Sequence, residues 1–231
     1  MKRQPVILSP STPSELLAYV IAHHRCPTTL LIGWPRQQFL EALIQDIVQQ
    51  PQTENASMPP PSQPSHHGLL HPLLRPPSLL QTAVARHIRL AFIPSVAHLR
   101  AYIATFDPSD SAIPPPPPSS SGPVAGSLTS APLLLVYGFL ELHRDGSQWS
   151  AQGLNASAAS FVEVAARHDF RPTIVEPRKT DGDDELRRTM AETIPILTGS
   201  RLRDDGTWSG HTVPVDRVLA RWFTAEEGTT R

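Results

Sequence analysis

A chain of 231 residues is long enough for one sizeable domain, but only 39% of it is hydrophobic and 26 residues are proline, so the core-forming part is smaller than the whole. The formal net charge of -1 excludes binding of nucleic acid by bulk basicity, although it leaves room for a local basic groove. One cysteine, Cys26, excludes an internal disulfide and a multi-cysteine zinc site.

No apolar run approaches the ~20 residues of a membrane span. The basic start, Met1-Lys2-Arg3-Gln4-Pro5, lacks the apolar stretch of a secretory signal. The expectation is an intracellular protein, nuclear with a cytoplasmic share, with Asn55 and Asn155 as incidental sequons.

In chain order, Ser11-Thr12-Pro13-Ser14 and Glu15 to Ala22 predict a capped helix with an acid in its first turn. Thr28-Thr29-Leu30-Leu31-Ile32-Gly33 predicts a short strand. Apolar residues at 39, 40, 43, 44, 47 and 48 then recur at helical spacing. Residues 51–78 read as a flexible Pro/Ser-rich insertion. Leu79 to Ala85 reads as a short helix, Ile88 to Ile93 as a strand and Pro94 to Ile103 as a helix. Residues 107–132, with their proline run, form a second insertion of polyproline or disordered character.

The continuously apolar run from Leu133 predicts a buried strand over 133–137, followed by a turn at Asp145-Gly146-Ser147, a helix from about Ser157 to Arg167 and a strand over Thr173–Glu176. That order needs a crossover and implies an α/β fold with a mostly parallel twisted sheet flanked by helices. Glu185 to Met190 reads as a short helix. Ile194 to Leu197 and Thr212 to Leu219 read as antiparallel C-terminal strands joined by a turn at Gly206–Gly210, and residues 225–231 as a disordered tail.

Strand, glycine and helix at 28–48 form the frame of a phosphate-binding loop without its chemistry. Counted from Gly33, the second glycine, lysine and hydroxyl positions hold Gln38, Phe39 and Leu40, and Arg36 is a surface arginine before a helix. Tyr137 ends the central strand where a magnesium-handling carboxylate would stand, and Glu141 and Asp145 beyond it read as solvated turn acids. His66, His67 and His71 lack a rigid frame for zinc. Cys26 beside His23 and His24 reads as an inert cysteine, and Ser147 and Ser150 lie outside any nucleophile-elbow pattern. Neither a catalytic residue, a cofactor nor a metal site is expected. Arg178, Lys179, Arg187 and Arg188 are the candidate nucleic-acid contacts, with Arg201 and Arg203 beyond them, all interspersed with aspartates. Trp149 and Trp208 are candidate partner anchors, and Trp222 with Phe223 suits either an interface or the core.

Taken together, TTLLIGWPRQQFLEAL, RHIRLAFIPSVAHLRAYI and APLLLVYGFLELHRDGSQWS resemble the successive strand-helix stretches of a RecA-like core that has lost its nucleotide motifs. The resemblance is to the small recombinase paralogues that serve as Shu-complex subunits, including the short partner of the SWIM-domain protein. It implies one RecA-like domain over 1–231, acting without catalysis in homologous recombination and DNA repair. The implied partners are another RecA-like paralogue or a SWIM-domain protein, with single-stranded DNA reached through the complex. The Elongator accessory subunits, which assemble on transfer RNA, are similar in the same respects. A divergent ATPase is the enzymatic alternative.

Overall fold

The computed structural model describes residues 4–23, 27–54, 72–74, 76, 82, 85–110, 132–144, 146–179, 184–197, 201–202 and 208–226. Its strands are β1 (Val6–Ser11), β2 (Thr28–Ile32), β3 (Ile88–Phe92), β4 (Leu133–Tyr137), β5 (Arg171–Pro177), β6 (Thr193–Pro195), β7 (Arg201–Leu202), β8 (Trp208–Ser209), β9 (Thr212–Pro214) and β10 (Thr224–Glu226). Its helices are α1 (Pro13–His23), α2 (Arg36–Glu54), α3 (Val96–Ala104), α4 (Phe139–Arg144), α5 (Ala151–Arg167), α6 (Glu185–Ala191) and α7 (Val215–Leu219).

Six strands form one parallel sheet in the order β10-β1-β5-β4-β2-β3. The fold is α/β, as the strand-helix-strand pattern requires. Alternation along the inner strands assigns side chains to two faces. Leu30, Ile32, Leu135, Tyr137 and Val175 pack with Leu16 and Val20 of α1 and Phe39 of α2. Leu31, Leu134, Val136 and Ile174 face the other way, toward Leu99 of α3, Phe139 of α4, Phe161 of α5 and Leu219 of α7. The chain first steps from β1 to β2 to β3 toward one edge, then returns through β4 and β5 to β10. With right-handed crossovers, this reversal lays the outbound and returning helices on opposite faces.

Several expectations need correction. β1 was not foreseen from Val6-Ile7-Leu8 because Pro5 and Pro10 flank so short an apolar run. In the sheet, the register of β1 against β5 shifts between Leu8 and Ser11, so Pro10 falls in an irregularity that does not need its missing N–H. The expected tail at 225–231 begins instead as strand, since Ala225 and Glu226 belong to β10 and pair with Ile7 and Leu8. All three β10 residues are exposed, so no apolar pattern announces an edge strand held by its backbone and by the Arg171–Glu226 ion pair at 2.7 Å.

α5 begins at Ala151, not Ser157, because Ser150 caps it by accepting from the Gly153 amide at 3.1 Å. Phe139–Arg144, directly after the central strand, turns into α4. The expected strand over 212–219 divides into β9 and α7, and the Gly206–Gly210 turn contains β8. The antiparallel strands form two separate ribbons, β6 with β9 and β7 with β8, outside the main sheet. α2 continues through Glu54, past the expected start of the first insertion, and single turns stand at Pro72–Leu74 and Pro108–Asp110. Apart from residues 76, 107 and 132, the remainder of both insertions, and most of the expected helix at 79–85, lies outside the described residues.

Gly153 is required by contact. A Cβ built on it would lie 2.2 Å from the Gln148 carbonyl oxygen, a backbone atom that cannot swing away. Gly153→Ala is expected to destabilise the protein by about 1–3 kcal/mol, the usual cost of overpacking, read as a lower urea midpoint at unchanged slope.

Candidate functional site

The carboxyl edge of a parallel sheet is where α/β proteins place ligands, so the ends of β1, β2, β4 and β5 are the first place to look. At the end of β1 only Thr12 separates strand from helix. Thr12 and Glu15 form a reciprocal cap: the Thr12 amide donates to Glu15 Oε2 at 3.0 Å, and the Glu15 amide to Thr12 Oγ1 at 3.4 Å. Arg178 then closes over this cap, donating to Glu15 Oε1 at 2.7 Å and to the Pro10 carbonyl at 3.1 Å.

At the end of β2, the Gly33 amide donates to the Tyr137 carbonyl at 2.8 Å, continuing the sheet instead of facing a ligand. A Cβ on Gly33 would stand 2.9 Å from that same oxygen. Trp34 fills the next position, with its indole N–H donated to Glu141 Oε2 at 2.7 Å. Glu141 Oε1 meets Lys179 Nζ at 3.1 Å.

Tyr137 lies between these two junctions and is fully buried. Its ring meets Trp34 and Phe39 edge-on at 5.4 and 5.9 Å, and its hydroxyl crosses beneath β5 to donate to the Ser11 carbonyl at 3.0 Å. Burial, reinforced by the carboxylates of Asp46, Glu141, Glu176 and Glu15, holds the phenol far above its ordinary pKa, so it stays neutral and donates. Gly138 follows with φ of 79°, the left-handed turn that releases the chain into α4.

Glu176, at the end of β5, accepts from the Leu140 amide at 2.8 Å and so caps α4. Burial pushes its carboxyl up to about 7, against the pull of the Leu140 and Glu141 amides and of Lys179. Behind it, His143 is completely buried. The Phe139 carbonyl can only accept, so His143 Nδ1, 2.7 Å away, carries the proton. His143 Nε2 then accepts from Ser157 Oγ at 2.9 Å, and Ser157 accepts in turn from Arg100 Nε at 3.1 Å. Desolvation, resisted by the Phe139 bond and aided by Arg100, lowers the imidazole to about 4 and keeps it neutral. This Ser–His pair is a sealed link between α4, α5 and α3, with neither group open to a substrate.

Among the other expected site residues, Arg36 and Gln38 are exposed on the first turn of α2, Phe39 is buried against Phe92 and Tyr137, and Leu40 is 40% exposed. The structure brings Lys179 beside Glu141, Arg178 beside Glu15 and Arg187 beside Asp184, at 3.1, 2.7 and 3.3 Å. Arg188 lies exposed on α6. Trp149 is half-buried against the core with the Arg144 guanidinium 4.7 Å from its ring centroid. Trp208 stands on β8, but its side chain lies outside the described residues. Trp222 donates to Asn155 Oδ1 at 3.0 Å, and Phe223 stacks on Phe161. Ser150 is the cap of α5 and Ser147 an exposed turn residue. Cys26, His24, His66, His67, His71, Asp145 and Arg203, and the side chains of His23 and Arg201, lie outside the described residues. No group of metal-ligating side chains occurs among the described residues, and none of their helices is long and apolar enough to cross a membrane.

The sequence reading missed an exposed stripe on α2, where Leu40, Ile44 and Val48 are 40%, 62% and 61% exposed. The signal was present: apolar pairs at 39/40, 43/44 and 47/48 cover more of the helix than one buried face needs.

No family model and no curated protein matches the chain. Among solved structures, a DnaB-like replicative helicase, described with its interactions with primase, aligns at a TM-score of 0.38 and 9% identity over 79% of this chain. The alignment spans 42% of the helicase chain.

Because the folded-state pKa of Glu176 is raised from 4.5 to about 7, its contribution to stability is fully present below about 4.5 and is lost as pH rises through about 7. His143, lowered from 6.5 to about 4, acts in the opposite sense, losing its contribution as pH falls. Glu176→Gln isolates the first effect. Urea midpoints across this interval should show the variant gaining on the wild type as pH rises, by up to about 3 kcal/mol. A constant difference would show that Glu176 does not titrate there.

Proposed function

We propose that this chain is a non-catalytic RecA-like subunit that acts by assembling with another RecA-like protein, and that the assembly helps load a recombinase on single-stranded DNA during homologous recombination. The observation that carries the reading is the Glu15 carboxylate at the N-terminus of α1. A nucleotide phosphate would need free amides there, and instead meets a negative charge already bonded to Thr12 and paired with Arg178. The second strand-to-helix junction, at Gly33, is likewise closed on the chain itself.

Assembly is supported by the α2 stripe. Three aliphatic side chains one helical turn apart, each at least 40% exposed, form the kind of apolar strip that a partner surface covers. The basic residues at 178, 179 and 187 are each held by a carboxylate, so in this reading the DNA contact belongs chiefly to the complex. The recombination context rests on the sequence resemblance.

Ile44→Glu combined with Val48→Glu should leave the melting temperature nearly unchanged, since both sites are surface positions, while abolishing recovery of a RecA-like or SWIM-domain partner on affinity purification. Recovery of Elongator components with the wild type would replace the recombination assignment. In a separate measurement, millimolar ATP with magnesium should produce no rise in melting temperature. A rise would mean nucleotide binds the folded chain, and would end the non-catalytic reading.

A further inference from the structure

On the sheet face opposite α1 and α2, a groove of about 300 Å³ runs between α5, α7 and the β6–β9 ribbon. Its floor is apolar, formed by Ala151, Ile196, Val213 and Val218. Its walls are held in place by bonds already made. Gln152 Oε1 accepts from the Leu197 amide at 3.0 Å, and Asn155 Oδ1 accepts from the Trp222 indole at 3.0 Å. Those oxygens are therefore engaged within the fold.

Arg217 on α7 and Arg221, in the turn just beyond its end, remain on the rim. Among the described residues neither has a carboxylate within ion-pair distance, whereas Arg144, Arg167, Arg171, Arg178 and Arg187 each do.

The geometry points to this groove as a docking site for a short acidic segment of a partner protein, with an aliphatic or aromatic side chain on the floor and flanking carboxylates on Arg217 and Arg221. Charge decides the occupant. A neutral apolar segment would leave two guanidiniums at its margin without counter-charges, and a basic one would be repelled. A carboxylate offers the planar guanidinium two parallel hydrogen bonds, while the fixed walls lower the ordering cost of binding. This site is separate from the α2 stripe and does not depend on which RecA-like partner the chain takes.

The test is fluorescence anisotropy of the full chain with a labelled hexapeptide, Glu-Asp-Leu-Phe-Asp-Glu, and with a control carrying lysine at the four acidic positions. Saturable binding of the acidic peptide is expected, weakened by salt, with no binding of the control. Arg217→Glu with Arg221→Glu should weaken it at least about tenfold, and Arg217→Gln with Arg221→Gln should weaken it to a lesser degree. Melting temperatures check that both variants are folded, and the glutamine pair serves alone if charge reversal prevents folding. Equal affinity of a folded variant and the wild type, binding of the lysine control, or no saturable binding at millimolar peptide would overturn the proposal. Loss of partner recovery through Ile44 and Val48 leaves it standing.

Discussion

The hydroxyl of Tyr137, donated to the Ser11 carbonyl, ties the end of β4 to the end of β1 across the intervening strand. The rest of the carboxyl edge depends on this cross-tie. Because the ring is buried, it must satisfy its one polar atom inside the protein, and a backbone carbonyl at a strand end is well suited to receive it. Trp34 and Phe39 then enclose the ring, which fixes the path of the chain from β2 into α2. Beneath this edge the aromatic side chains of Trp34 and Phe39 pack edge-on against that of Tyr137.

Charge is handled in the same closed manner. Glu15, Glu141 and Glu176 lie near the carboxyl edge, and each is engaged by a backbone amide, an indole, a lysine or an arginine. Glu176 differs in being deeply buried, so its ionisation is opposed by desolvation while the amides of α4 favour it. The chain from Arg100 through Ser157 and His143 to Phe139 extends this ordering under α4, giving every ring nitrogen a partner. A short helix of six residues, too short to hold itself by propensity, is secured by a carboxylate cap and a buried imidazole.

Unsatisfied surface is found away from this edge. The stripe on α2 is apolar without a cover among the described residues, and the α5–α7 groove is apolar with two rim guanidiniums that have no carboxylate partner among the described residues. The two lie on opposite sheet faces, so two contacts could be made without competing for the same surface. Both contrast with the carboxyl edge, where the carboxylates of Glu15, Glu141 and Glu176 are engaged in internal bonds. This distribution is what joins the assembly reading to particular side chains.

The sequence by itself determined the inner strands and the alternation of strand with helix. Leu30 to Ile32 and Leu133 to Tyr137 carry continuous apolar runs, and Ile174-Val175 a shorter one, because a sheet covered on both faces demands them. It also gave the acidic cap at Glu15 and the missing lysine and hydroxyl after Gly33. Only the tertiary structure decided that Val6 to Ser11 is a sheet strand and Thr224 to Glu226 its edge, since the apolar run of the first is only three residues long between prolines and the second is exposed and paired through its backbone. It alone decided which half of α2 is buried, and that Tyr137 reaches Ser11, 126 residues away in the chain. Local pattern reports what a residue can bury; which atoms lie opposite it depends on how distant segments meet.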